Sequence, residues 1–162
     1  MSLARFRFFT LTSFQKDGLR SKHVVVWAVA IGLAIRLWRL DAALWYDEAV
    51  SAWLAMLPPQ RLLSATLGDV HPPGYYALLW AIGHLFGYAE LVLRLPSVIA
   101  GVGLIYLVAR LGFAFQMPRK AVWLAVAITA LTPFQIYYAQ EVRSYALLMV
   151  AVTVAALGLV ER

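Results

Sequence analysis

Four apolar runs constrain what this chain can fold into: residues 23–40, 95–113, 121–138 and 145–160. At roughly 1.5 Å per helical residue each run reaches about 24–29 Å, close to the hydrocarbon thickness of a bilayer. With 63% hydrophobic residues and a mean hydropathy of +0.76, the composition is that of an integral membrane protein. The sequence therefore predicts an all-α, polytopic chain with about four transmembrane helices.

Charge sets the expected orientation. Residues 1–22 carry Arg5, Arg7, Lys16, Arg20 and Lys22 against Asp17, and read as a basic cytoplasmic tail before an uncleaved signal-anchor. The net charge of +6 lies in blocks beside apolar runs, which points to membrane orientation and not to nucleic acid. The chain contains no cysteine, so disulfides and Cys-based metal sites are excluded.

A fifth apolar run, Gly74–Gly87, has only 14 residues and carries Tyr75, Tyr76, Trp80, His84 and Phe86. Counted as a span, it would put Arg110, Arg119 and Lys120 outside, against the bias of the tail. Read instead as a juxtamembrane helix, it makes residues 41–93 a single external loop. That topology sends Asp41, Asp47, Glu48, Asp69, Glu90 and Glu141, six of the eight acids, to one outer face.

Three stretches carry the candidate chemistry. Asp47-Glu48 follows Leu44-Trp45-Tyr46 at the expected start of a short amphipathic helix. An acid there is either a helix cap or, flanked by aromatics at a membrane surface, a general base. In Asp69-Val70-His71-Pro72-Pro73 the prolines force extended backbone, so His71 is expected to be presented, for structure or for substrate. Gln140-Glu141-Val142-Arg143-Ser144-Tyr145 lies between the third and fourth runs, after Pro133, which should kink or end the third. Arg143 either pairs with Glu141 or holds a phosphate, whose oxygens match a guanidinium fork. Tyr145 should share a helix face with Glu141 if the fourth helix starts early. Arg94 reads as an interfacial anchor, with Pro96 in the first turn of the second span. Arg36 either snorkels outward or faces the site. No ligand spacing for a metal is visible, and the residues do not specify any need for a divalent cation.

Trp45-Tyr46-Asp47-Glu48, His71-Pro72-Pro73 with Tyr75-Tyr76, Arg94-Leu95-Pro96-Ser97, and Pro133 through Tyr145 occur in the order seen in another group of membrane proteins. Over residues 23–160 the chain resembles the N-terminal region of GT-C fold membrane glycosyltransferases. The likeness is greatest to the family 39-like group of protein-mannosyltransferase-related bacterial enzymes, which includes the aminoarabinose transferases of lipid A. The resemblance implies a partial GT-C fold over 23–162, with juxtamembrane helices in the first external loop. It also implies a polyprenyl-phosphate sugar as donor, and a lipid, glycan or protein as acceptor. The expected location is the bacterial cytoplasmic membrane, with the N-terminus inside and the site on the outer face. By position, Asp47 matches the acid proposed to activate the acceptor and Glu48 its catalytic neighbour. Asp69, His71, Gln140, Glu141, Arg143 and Tyr145 then contact substrate. Family members usually have about twice as many spans or more, so the chain reads as the N-terminal part of a longer enzyme. The expected reaction is a direct, inverting displacement. The rival reading is a non-catalytic membrane protein, either half of a transporter or a subunit that binds a carrier lipid.

Overall fold

The computed structural model describes residues 23–67 and 73–161, and the described residues are all-helical. The basic tail and the pair Asp69 and His71 lie outside the described residues. The helices are α1 (His23–Arg36), α2 (Tyr46–Met56), α3 (Pro59–Thr66), α4 (Pro73–Phe86), α5 (Glu90–Ala114), α6 (Arg119–Leu131), α7 (Pro133–Ala139) and α8 (Tyr145–Val160). Helices α1, α5, α6–α7 and α8 form a bundle, and α2–α4 pack together over one end of it.

Small residues set how closely the bundle packs. A Cβ added at Gly32 would strike Ile105, one at Gly101 would strike Ala139, and one at Gly112 would press on Val122. These pairings also fix direction, because α1 and α6–α7 run antiparallel to α5. Ser97 meets Arg143 near one end and Arg110 pairs with Glu161 at the other, so α8 runs parallel to α5. Ile105, Ala109, Val122, Val126 and Ala130 fill the interior. Outward faces are apolar as well, with Trp27, Ile31, Ile99, Leu124, Ile128, Leu148 and Val152 exposed. Helix α5, at 25 residues, is long and apolar enough to cross a membrane, and α6 with α7 passes the same test as a bent pair.

The end of α1 and the beginning of α5 lie together, because Arg94 donates to the carbonyls of Leu40 (2.8 Å) and Ala42 (2.6 Å). The intervening segment therefore leaves and returns at the same end, and α4 does not carry the chain to the other. The run expected at Gly74–Gly87 falls in α4, whose 14 residues are Pro73–Phe86 and which packs on α2, α3 and α5. Gly87, with φ of 90°, ends α4 in the left-handed conformation that glycine adopts without steric cost.

Two expected boundaries move. The first helix stops at Arg36, and Arg39 takes a left-handed φ of 59° in the turn that follows. Helix α5 begins at Glu90, so Pro96 lies inside it and not in its first turn. Arg94 is buried at 5% exposure, so it is no interfacial anchor. The break expected at Pro133 is present as a 54° bend between α6 and α7.

That bend has a specific support. Pro133 has no N–H to donate to Thr129, four residues back. Arg36, fully buried, supplies the missing donors through Nη2 to the Thr129 carbonyl (2.9 Å) and Nη1 to the Ala130 carbonyl (3.0 Å). Arg36 thus neither snorkels nor faces the site. It holds α1 against the break in the third run.

Candidate functional site

The charged residues of α2 and of the α7–α8 turn meet at the capped end of the bundle. Glu48 is the third residue of α2, where its carboxylate reaches back to the N–H of Trp45 (3.3 Å). It is 1% exposed and accepts from Arg94 Nε (3.0 Å), Arg94 Nη2 (2.7 Å) and the N–H of Val142 (2.8 Å). The two-pronged guanidinium pairing and the backbone bonds compensate a buried carboxylate that would otherwise be costly. Each oxygen of Glu48 accepts two of these bonds, and the residue also lines the cleft described below. Glu48 thus ties α2, α5 and the α7–α8 turn together.

Asp47, one residue earlier, faces outward. Its side chain is 37% exposed and its Oδ2 lies 2.9 Å from Nη1 of Arg143. Arg143 also donates through Nη2 to the Tyr145 hydroxyl (3.2 Å) and lies over that ring at 5.4 Å. The partner of Arg143 is therefore Asp47 and not Glu141, a pairing across almost a hundred residues that spacing cannot reveal. Tyr145 opens α8 and meets Tyr138 edge to face at 4.8 Å, one member of a row with Phe134 and Tyr137. Because α8 starts at Tyr145 and residues 141–143 form a bend, Glu141 and Tyr145 do not share a helix face.

Gln140 caps α1. Its amide nitrogen donates to the Trp38 carbonyl (2.8 Å) and reaches those of Ile35 and Arg36 at 3.3 Å. These bonds give its amide nitrogen a structural task, and the residue also lines the cleft beside Glu141. Glu141 is 4% exposed, and its Oε1 has no hydrogen-bond partner. Burial pushes its carboxyl above the usual carboxylate range. The Tyr137 hydroxyl opposes that push, the charge of Glu48 adds to it, and Arg143 and Trp45 pull back. Glu141 lines a cleft of about 280 Å³ with Trp38, Arg39, Trp45, Tyr137 and Gln140.

Of the expected residues, Asp47, Glu141, Arg143 and Tyr145 come together at this end of the bundle, where Glu48 is held by Arg94 of α5 and Gln140 by the end of α1. Among the described residues no three His, Asp or Glu side chains are grouped to hold a metal. Sequence reasoning missed Arg94 as the partner of Glu48. Its one signal was an arginine set within an apolar run, where an uncompensated charge is costly.

An all-helical bundle with a charged, aromatic-rich end is the class that these features define. No protein-family model, curated protein or solved structure matches the chain.

Proposed function

We propose that the chain is part of a membrane glycosyltransferase of the GT-C kind, moving a sugar from a polyprenyl-phosphate donor to a lipid, glycan or protein acceptor. The observation that carries this reading is Asp47. It is partly exposed and oriented by Arg143, at the end of the bundle where Glu141 and a row of tyrosines also gather. The apolar outward faces of the helices support an integral membrane location. Arg110, Arg119 and Lys120 fall at the end opposite Asp47, which supports an inside position for them and an outside position for the site.

In the proposed reaction the acceptor hydroxyl gives its proton to the Asp47 carboxylate while its oxygen bonds to the anomeric carbon. The bond from that carbon to the phosphate oxygen breaks, and polyprenyl phosphate leaves with the electron pair. One displacement inverts the configuration. Arg143 supplies positive charge where the phosphate becomes more negative.

Asp47→Asn in the membrane-embedded enzyme should lower transfer by about 10²–10⁴-fold, the usual effect of losing a positioned base, without preventing insertion. Near-normal turnover would reduce Asp47 to an ion-pair partner. The rival, a non-catalytic subunit, is addressed by single cysteines at 47, 71 and 141, clean probes because the chain has none. Labelling of any of them from the inside alone breaks the proposed topology.

A further inference from the structure

The end of the bundle opposite Asp47 carries a concentration of charge that the displacement step does not use. Residues 95–109 of α5 contain no charge, and Arg94 and Arg110 flank them. The rise from one arginine to the other is roughly 24 Å in a helix, a little under the thickness of a hydrocarbon core. With Arg94 at the Asp47 end, Arg110 falls in a bilayer at the depth where acyl chains meet the opposite layer of phosphates. Its partner is Glu161, just past α8. The two side chains are 46% and 47% exposed, so water screens the pair and another anion can displace it. Arg119 and Lys120 open α6 at the same end, with no acid in that first turn. Among the described residues, three permanent cations there face the single carboxylate of Glu161.

Apolar side chains stand at the same level. The α5–α6 turn is pinned by the N–H of Gln116 on the Phe113 carbonyl (2.9 Å) and the N–H of Met117 on the Gly112 carbonyl (3.0 Å). Held in this way, the turn presents Phe115 and Met117 outward, 57% and 46% exposed. The exposed face of α6 continues apolar through Leu124 and Ile128. Orientation in a membrane requires only that cations stay on one side during insertion. Selection of a lipid requires exposed cations beside exposed apolar groups in the folded chain, and this end has both. An acidic soluble partner would complement the cations alone. An anionic phospholipid offers phosphate to the cations and acyl chain to Phe115, Met117 and Leu124.

We propose that this end is a docking surface for anionic phospholipid of the inner leaflet, taken in preference to zwitterionic lipid. The proposal rests on the membrane location argued above and is independent of the transferase chemistry.

The test uses the absence of cysteine from the chain. Met117→Cys carries a bimane label at this turn, and Leu67→Cys, at a side chain 72% exposed, carries it at the Asp47 end. Each labelled full chain is reconstituted in phosphatidylcholine vesicles containing rising fractions of brominated phosphatidylglycerol or brominated phosphatidylcholine. Quenching then gives the relative affinity of the two lipids for the labelled surface. At 117 phosphatidylglycerol should be preferred by about fivefold or more, the effect of one cation near an anionic surface. At 67 the preference should be about twofold or less. Arg119→Gln with Lys120→Gln should bring the value at 117 down to that level, and added salt should erode it. Glu161→Gln removes the carboxylate that competes for Arg110 and should raise it. Equal quenching by the two lipids at 117, a preference untouched by the double substitution, or one of the same size at 67 overturns the docking surface. Absence of quenching at 117 by either lipid overturns the membrane location itself, a different outcome from equal quenching by both.

Discussion

Asp47 and Glu48 stand side by side in the first turn of α2, and each is paired with an arginine from elsewhere in the chain. Glu48 is almost wholly buried and meets Arg94 at two atoms, with backbone donors on its remaining lone pairs. Asp47 is more than a third exposed and meets Arg143 at the rim. The two pairs have the same chemistry and opposite consequences. Removing one partner of the buried pair strands a charge in a low-dielectric interior, whereas the rim pair is screened by water and gives up little when broken. Stability is thus concentrated in Glu48, and the freedom to exchange partners in Asp47.

The sharpest way to break this contrast is Arg94→Ala. It leaves Glu48 buried and unpaired and frees three loop carbonyls, so denaturant unfolding in detergent should show a loss of about 3–5 kcal/mol. Arg143→Ala should cost less by the same measurement, because the Asp47 carboxylate it leaves behind is more than a third exposed and stays hydrated. Equal losses would erase the distinction between the pairs. Activity should divide the other way. Asp47→Asn should keep the wild-type unfolding midpoint while losing the transfer described above, and a matching drop in stability would make Asp47 structural too.

A third arginine extends the comparison away from carboxylates, since Arg36 is buried against carbonyls alone. Arg36→Met leaves the Thr129 and Ala130 carbonyls without those donors and should cost about 1–3 kcal/mol. Pro133→Ala restores a backbone N–H within reach of Thr129. In that background the Arg36→Met penalty should shrink by about 1 kcal/mol in a double-mutant cycle. Strict additivity would mean that Arg36 does not substitute for the hydrogen bond that Pro133 cannot make.

The smallest effect concerns Glu141. Its folded-state carboxyl is raised above the unfolded value near 4.5, so the native state holds the proton more tightly. The unfolded state then binds fewer protons in that window, and stability falls as pH rises from 4.5 through the raised value. Glu141→Gln cannot ionise. Its stability advantage over wild type should therefore grow with pH across the window, and parallel profiles would contradict the burial argument.

How much of this was legible in the sequence differs residue by residue. The fourth run, 145–160, coincides with α8, because an uninterrupted apolar stretch after a polar turn leaves a helix no other bounds. The bend at Pro133 was readable since a missing N–H is a local property of one residue. The start of α5 was not. Arg94 and Pro96 look like a helix entrance by local rules, but a tertiary partner lets the helix begin a turn earlier with a charged residue inside it. The same blindness affected Glu48 and Gln140, whose polarity marked them as candidates but whose partners lie about fifty and a hundred residues away.

What the sequence determined by itself is the class of fold, the number of long apolar runs and the acids that could act. Those follow from hydropathy, period and proline, each a property of neighbouring residues. Which of two adjacent acids is buried, which arginine meets which carboxylate, and where a buried oxygen is left without a donor were decided only by the tertiary structure. Those outcomes depend on the distance and solvent access between groups far apart in the chain, and no local spacing encodes them.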